Sequence, residues 1–241
     1  MKAMKALFLF TLFFSLALHV ESQNIIHNGG FEDTPSTYTI LLHDAYFIPR
    51  VKGFFEKKTE TSNPPIETNK TETGKWYKKA SNTGYIIAEI QDKEKASGEY
   101  SLYLRNSPHM NQDNPKWYQC VLIQPVSLEN DSQYRLTFKA KKENDPENHI
   151  TKLTAVITDE SSKINYTIFI KLKDNDEWND YSVLFDLKNF KERQLSKKEN
   201  ENKTFDYRNG IIGISANPET SNHKTLLSSI FLDDISLEKI Q

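Results

Sequence analysis

Apolar and polar residues alternate with a period of two along many short stretches of the chain, and the 3.6-residue period of a helix is nearly absent beyond residue 22. Over residues 134–141, Tyr134, Leu136, Phe138 and Ala140 are apolar, while Arg135, Thr137, Lys139 and Lys141 are polar. A strand there packs one face and wets the other. The same phase turns Leu102 and Leu104 inward and Ser101, Tyr103 and Arg105 outward, and it sets Tyr181, Val183, Phe185 and Leu187 in one apolar row. Tyr103 is thus expected as an exposed aromatic beside an arginine. Runs of this kind, bounded by Asn, Asp, Gly and Pro, predict strands over 24–26, 39–42, 84–90, 100–105, 117–127, 133–142, 151–158, 165–172, 180–187, 210–215 and 230–237. So many short strands predict an all-β domain, a two-sheet β-sandwich or jelly roll. Residues 49–74, with Pro64-Pro65, and 188–207, with a charged run over 191–203, break the pattern and predict long solvated loops.

At the start of the chain, Lys2 and Lys5 precede an apolar run from Ala6 to Val20, which ends at a small-residue cleavage site, Val20-Glu21-Ser22. This predicts a secretory signal peptide over 1–22, one exported domain over 23–241, and an extracellular, cell-surface or periplasmic location. The run is shorter than the ~20 apolar residues of a spanning helix, and no second one follows, so no membrane span is expected in the mature chain. A formal charge of −2, with acids and bases interspersed, supplies no basic field for nucleic acid. Cys120 is the sole cysteine and is read as a buried thiol, so no intramolecular disulfide helps the fold. Sequons at Asn69, Asn130, Asn165 and Asn202 arise freely in a chain this rich in Asn, Ser and Thr.

Four segments stand in a telling order: Asn28-Gly29-Gly30-Phe31-Glu32, Ala96-Ser97-Gly98-Glu99-Tyr100-Ser101-Leu102, Tyr134-Arg135-Leu136-Thr137-Phe138-Lys139-Ala140-Lys141 and Leu232-Asp233-Asp234-Ile235-Ser236-Leu237. Together they resemble the carbohydrate-binding modules of the CenC type, a family that includes modules attached to xylanases and cellulases. The resemblance spans nearly all of the mature chain and implies a galactose-binding-like jelly roll. It also implies a structural calcium ion where the Phe-Glu turn, the Ser-Gly turn and the Asp-Asp strand meet. Carried over by position, Glu32 and Asp234 are the side-chain ligands, with carbonyls near Asn28 and Ser97. Calcium takes six to eight oxygens, so acids beside turns suit it. Asp233 is the lesser candidate, because alternation puts it with Phe231, Ile235 and Leu237. The alternative is that these acids accept turn amides or pair with a lysine, with no ion. The insertion at 49–74 departs from the family pattern beside the ligand-facing rim.

A sugar-binding surface needs flat aromatic platforms with polar side chains beside them. The candidates are Trp117, Tyr103, Trp76, Tyr118 and Tyr77, with Arg105, Gln119, Gln124 and Asn114 as polar neighbours. Trp117 stands where many family members carry an aromatic near the binding face, whereas Trp178 matches a structural position. His27, His43, His109, His149 and His223 are too scattered for a zinc site or a triad, and Asp233-Asp234 cannot form the facing carboxylates of a glycosidase. The expectation is a secreted, non-catalytic, calcium-stabilised protein that binds a polysaccharide or oligosaccharide, alongside cell-surface or secreted enzyme partners. Its rivals are a structural or adhesive protein-binding module and a small polysaccharide lyase or hydrolase using Tyr103, Arg105 and His109.

Overall fold

The computed structural model describes residues 23–32, 41–42, 76–79, 86–106, 120–159, 164–216, 220–221, 224–225 and 227–240. With strands numbered in chain order, one sheet runs β3 (Ile86–Gln91), β4 (Ser101–Asn106), β13 (Ser228–Lys239), β6 (Gln133–Lys142), β9 (Asn179–Asp186), antiparallel throughout. The other runs β1 (Leu41–Leu42), β2 (Tyr77–Lys79), β5 (Cys120–Val126), β10 (Gly210–Ala216), β7 (Lys152–Asp159), β8 (Asn165–Lys171). It is antiparallel except between β1 and β2. A short ribbon pairs β11 (Thr220–Ser221) with β12 (Lys224–Thr225). This is the all-β sandwich expected from the alternation, and β6 spans the predicted residues.

The core lies between the two sheets. Leu102 and Leu104 of β4, Ile230 and Leu232 of β13, and the Tyr134, Leu136, Phe138, Ala140 row of β6 meet Leu153, Ala155 and Ile157 of β7 and Ile212 and Ile214 of β10 in one buried cluster. Each Leu or Ile buried in this way stabilises the fold by roughly 1.5–3 kcal/mol. The predicted strand at 24–26 is reduced to one bridge, Asn24 to Glu238. First and last segments do lie side by side: the Ile25 amide donates to the Leu237 carbonyl (2.8 Å), and Asn24 Oδ1 accepts the Leu237 and Ile26 amides (both 3.0 Å).

Two expectations need correction. Asp233 does not share a face with Ile235 and Leu237, because β13 carries an extra residue relative to β6 between Asp233 and Ser236. This β-bulge reverses the phase of the strand. Ile230 and Leu232 point into the core before it, Ile235 and Leu237 after it, and Asp234 at the bulge has a left-handed backbone (φ 49°). Nor is 188–207 simply a loop. It opens with a helix, α1 (Leu187–Leu195), whose cap Asp186 accepts the Asn189 amide at 2.9 Å. The helix buries Leu187 and Phe190, with Phe190 stacked on Tyr166 at 4.3 Å. Leu195 packs partly buried against the same core, but three apolar residues in a nine-residue, otherwise polar segment make only a faint helical period in the sequence. Phe205 and Tyr207 then return to the core. Residues 1–22 and 49–74 lie outside the described residues. Among the described residues, no helix is long and apolar enough to cross a membrane.

Candidate functional site

The four residues with left-handed φ among the described ones are Asn28 (49°), Phe31 (59°), Gly98 (56°) and Asp234 (49°), and all belong to one junction where the N-terminal segment meets β13 and the turn before β4. Backbone strain of this kind persists only where surrounding bonds over-determine it. Here the bonds come from carboxylates. Glu32 accepts the Glu99 amide (2.9 and 3.0 Å) and the Tyr100 amide (3.2 Å). Asp233, fully buried, accepts the Ala96 and Ser97 amides on one oxygen (2.9 and 3.2 Å) and the Asp234 amide on the other (2.8 Å). Asp234 accepts the Ser97 hydroxyl (2.6 Å) and pairs with Lys139 (2.9 Å). Two glycines permit the close approach. A Cβ on Gly29 would sit 1.8 Å from the Ile235 carbonyl oxygen, and one on Gly98 would sit 2.0 Å from Glu32 Oε1.

Burial pushes the Asp233 carboxyl up, against the pull of the three amides. Burial also pushes Asp234 up, but the Ser97 hydroxyl and the Lys139 ammonium outweigh it and hold that carboxyl below the usual aspartate range. Of the residues named for calcium, Glu32, Ser97 and Asp234 meet at the turn before β4, while the Asn28 carbonyl accepts the Phe31 amide and Trp76 Nε1. The donors are hard oxygens, the right chemistry for that ion. As arranged, however, they aim at N–H groups and an ammonium, and among the described residues no three His, Cys, Asp or Glu side chains form a group suited to a metal. An ion bound to Asp234 would have to share it with Lys139 or displace it.

The expected aromatic platform is not assembled from the residues that are described. Trp76 is fully buried, its Nε1 donates to the Asn28 carbonyl (3.1 Å), and its ring lies 5.9 Å from Phe31. Tyr103 does face outward, yet it is only 8% exposed. Its hydroxyl donates to Glu143 (2.7 Å) and its ring lies 5.0 Å from Phe231, the residue opposite it on β13. Burial, then the Glu143 hydrogen bond and charge, push its phenol up to about 12, with Arg105 pulling the other way. The exposed Tyr103 of the sequence reading is thus corrected: alternation assigns a face, but Phe231 and Glu143 cover that face from elsewhere in the chain. Arg105 is half-buried beside it. Gln124 is buried and exchanges two 2.9 Å bonds with the His27 backbone, a structural role. Trp117, Tyr118, Gln119, Asn114 and His109, and the Tyr77 side chain, lie outside the described residues.

Sequence reasoning missed Phe169. On β8 at the sheet edge, Tyr166, Ile168 and Ile170 pack toward the core, while Asn165, Thr167, Phe169 and Lys171 take the other face. Phe169 is 67% exposed, the most exposed large apolar residue among those described. Its signal was present: an aromatic at a position in the polar phase of an alternating strand. Directly opposite on β7 stand Thr158, Val156, Thr154 and Lys152, and beyond them on β10 stand Ile211, Gly213 and Ser215. The row Ser215, Thr154, Phe169 crosses three strands, and of its members only Phe169 is exposed, since Ser215 and Thr154 are buried. The centre of this face is closed, since Ile123, Val156 and Ile211 are buried although outside the core cluster, so the open part is the β8 margin.

No protein-family model matches the chain, and no curated protein matches it. Solved structures do. A Bacteroides thetaiotaomicron protein named as a proposed sugar binder matches at 18% identity with a TM-score of 0.50, covering 90% of this chain and all (100%) of that one. A family 61 carbohydrate-binding module in complex with β-1,4-galactotriose matches at 13% identity with a TM-score of 0.44, over 91% of this chain and 100% of the module. The enzymatically active domain of bacteriophage CBA120 tailspike protein 4 matches at 10% identity and a TM-score of 0.42, but the 68% of this chain that aligns spans only 19% of that domain. The first of these likenesses, at 18% identity, bears on architecture alone, and that architecture is the galactose-binding-like jelly roll.

Proposed function

We propose that this chain is an exported, non-catalytic glycan-binding protein that takes a sugar ring against Phe169 on the β8 margin. The observation that carries the reading is the 67% exposure of the Phe169 ring on the outward face of the edge strand β8. A pyranose offers an apolar C–H face to such a ring and hydroxyls to polar groups beside it. Trp117, Tyr118 and Gln119, which precede β5 of the same sheet, are proposed as further contacts. Among the described residues, the β8 margin has no facing carboxylates of the kind glycoside hydrolysis uses, which supports the non-catalytic reading. Calcium at Glu32 and Asp234, with the carbonyls near Asn28 and Ser97, is proposed as a structural clamp on the junction, away from the sugar.

The test is retention of the purified mature protein on immobilised polysaccharides, with the eluate assayed for new reducing ends. Selective retention without product, weakened about fivefold to tenfold by Phe169→Ala, is expected for an aromatic contact of about 1 kcal/mol. Absence of retention on every polymer would refute the binding reading, and product release would make the protein an enzyme.

A further inference from the structure

β8 and β9 are edge strands, one on each sheet, and they are built differently. In β9 the outward row includes Asp180 and Asp186, so a second β9 laid antiparallel along its full length would set these acids directly opposite each other, an arrangement that repels. Natural edges are guarded by such charges, by proline or by bulges. β8 (Asn165–Lys171) has none of these guards: it contains no acid and no proline, and its register with β7 runs without a shift. Its main chain is open as well. The Leu172 amide donates to the Thr151 carbonyl (2.8 Å), one step beyond the pairing of Lys152 with Lys171, so the even-numbered residues of the strand turn their N–H and C=O groups to β7. Thr167, Phe169 and Lys171 turn theirs to the free edge, where among the described residues nothing bonds to them.

We propose that β8 pairs with the β8 of a second copy of this chain, antiparallel about a two-fold axis at Phe169, so that two six-stranded sheets join into one. The segment from Tyr166 to Leu172 is self-complementary in that register. On the outward face Phe169 meets its own counterpart and Thr167 meets Lys171, so no like charges are opposed across the axis. On the inward face Ile168 meets Ile170 and Tyr166 meets Leu172, all apolar positions at the margin of the core. Thr167, Phe169 and Lys171 of each copy exchange main-chain bonds, and the exposed phenyl ring gains an aromatic neighbour. The pairing runs through the edge and leaves the outward face of the sheet open, so it goes beyond the glycan reading and does not depend on it.

The experiment is sedimentation equilibrium of the purified mature protein at low salt, from micromolar to millimolar concentration, with the protein made in a bacterial host that leaves the Asn165 sequon unmodified. Thr167→Pro, Thr167→Lys and Thr167→Glu are compared with wild type after a thermal melt shows each to be folded. The Thr167 N–H faces the free edge, where proline costs no bond within the chain, and all three variants keep Phe169. Expected is a monomer–dimer equilibrium that Thr167→Pro abolishes. Thr167→Lys should weaken it about threefold to tenfold and Thr167→Glu should tighten it by a similar factor, since each change acts at both symmetric pairs with Lys171. A monomer at every concentration overturns the proposal, as does a dimer indifferent to Thr167→Pro. A dimer that lysine and glutamate at 167 affect alike also overturns it, because Lys171 is then not opposite that position. Should Thr167→Pro fail to fold, the two charged variants decide the matter by themselves.

Discussion

Three aromatic residues with similar chemistry have different fates here, and exposure separates them. Phe169 gives its ring to solvent, whereas Trp76 and Tyr103 spend theirs on Phe31 and Phe231 and their polar atoms on Asn28 and Glu143. Phe169→Ala is therefore expected to change stability by less than about 0.5 kcal/mol while reducing glycan retention. Trp76→Ala and Tyr103→Ala should each cost about 3–5 kcal/mol in denaturant unfolding and leave the retention of the folded fraction unchanged. If Tyr103→Ala instead kept stability and lost binding, its assignment to the structural layer would be wrong.

At the scale of elements, two local devices replace what alternation cannot supply. The first is the bulge at Asp234. Deleting that residue restores simple alternation with Ile235 and Leu237 still on the core face, so the deletion is expected to leave a folded protein whose melting temperature is lowered by the loss of the Asp234 contacts to Ser97 and Lys139. Asp234→Gly keeps the extra residue and accepts a left-handed φ, so it should melt as a folded protein, lowered by the loss of the Ser97 and Lys139 contacts. The second device is the cap of α1. The Asn189 amide holds the Asp186 carboxyl below its usual range; burial opposes it, and the Asn189 and Gln133 side chains and Arg193 assist. A depressed carboxyl contributes stability that is complete above the unfolded value, about 3.9, and is lost as pH falls through the lower folded value. Far-ultraviolet circular dichroism from pH 5 downward should show the helix loosening in acid. In Asp186→Asn, which still caps but does not titrate, that acid-dependent component should be missing.

At the scale of the molecule, the sandwich is closed by its ends. Residues 24–32 are bonded to β13, to the turn before β4 and to Gln124 of β5, so both sheets and both ends of the described chain converge on one junction. If calcium clamps this junction, exhaustive chelation should lower the melting temperature by several degrees and re-addition should restore it. A loss of 1 kcal/mol corresponds to roughly 2–4 °C for a domain of this size. An unchanged melt would leave the closure to the amides and Lys139. The core cluster gathers residues from Ile26 to Leu237.

Several features were legible from the amino-acid order because they are local. The period-two rows of β4, β6 and β9, the glycine turn at Gly29-Gly30 and the acidic pair at Asp233-Asp234 depend only on neighbours a few residues away, and strand geometry converts such spacing directly into faces. The same spacing contained Phe169 as an aromatic in the polar phase of β8, although its exposure was not deduced. Tertiary structure alone decided which outward residues stay wet, because that depends on what packs over them: Phe231 and Glu143 cover Tyr103, while the edge position of β8 leaves Phe169 open. It alone decided that Lys139 answers Asp234 and that Lys152 meets Lys171, since cross-strand pairing joins residues far apart in sequence. It also decided the phase of β13, where one extra residue reverses every side chain beyond it, an event that no periodicity can announce before the partner strand is known.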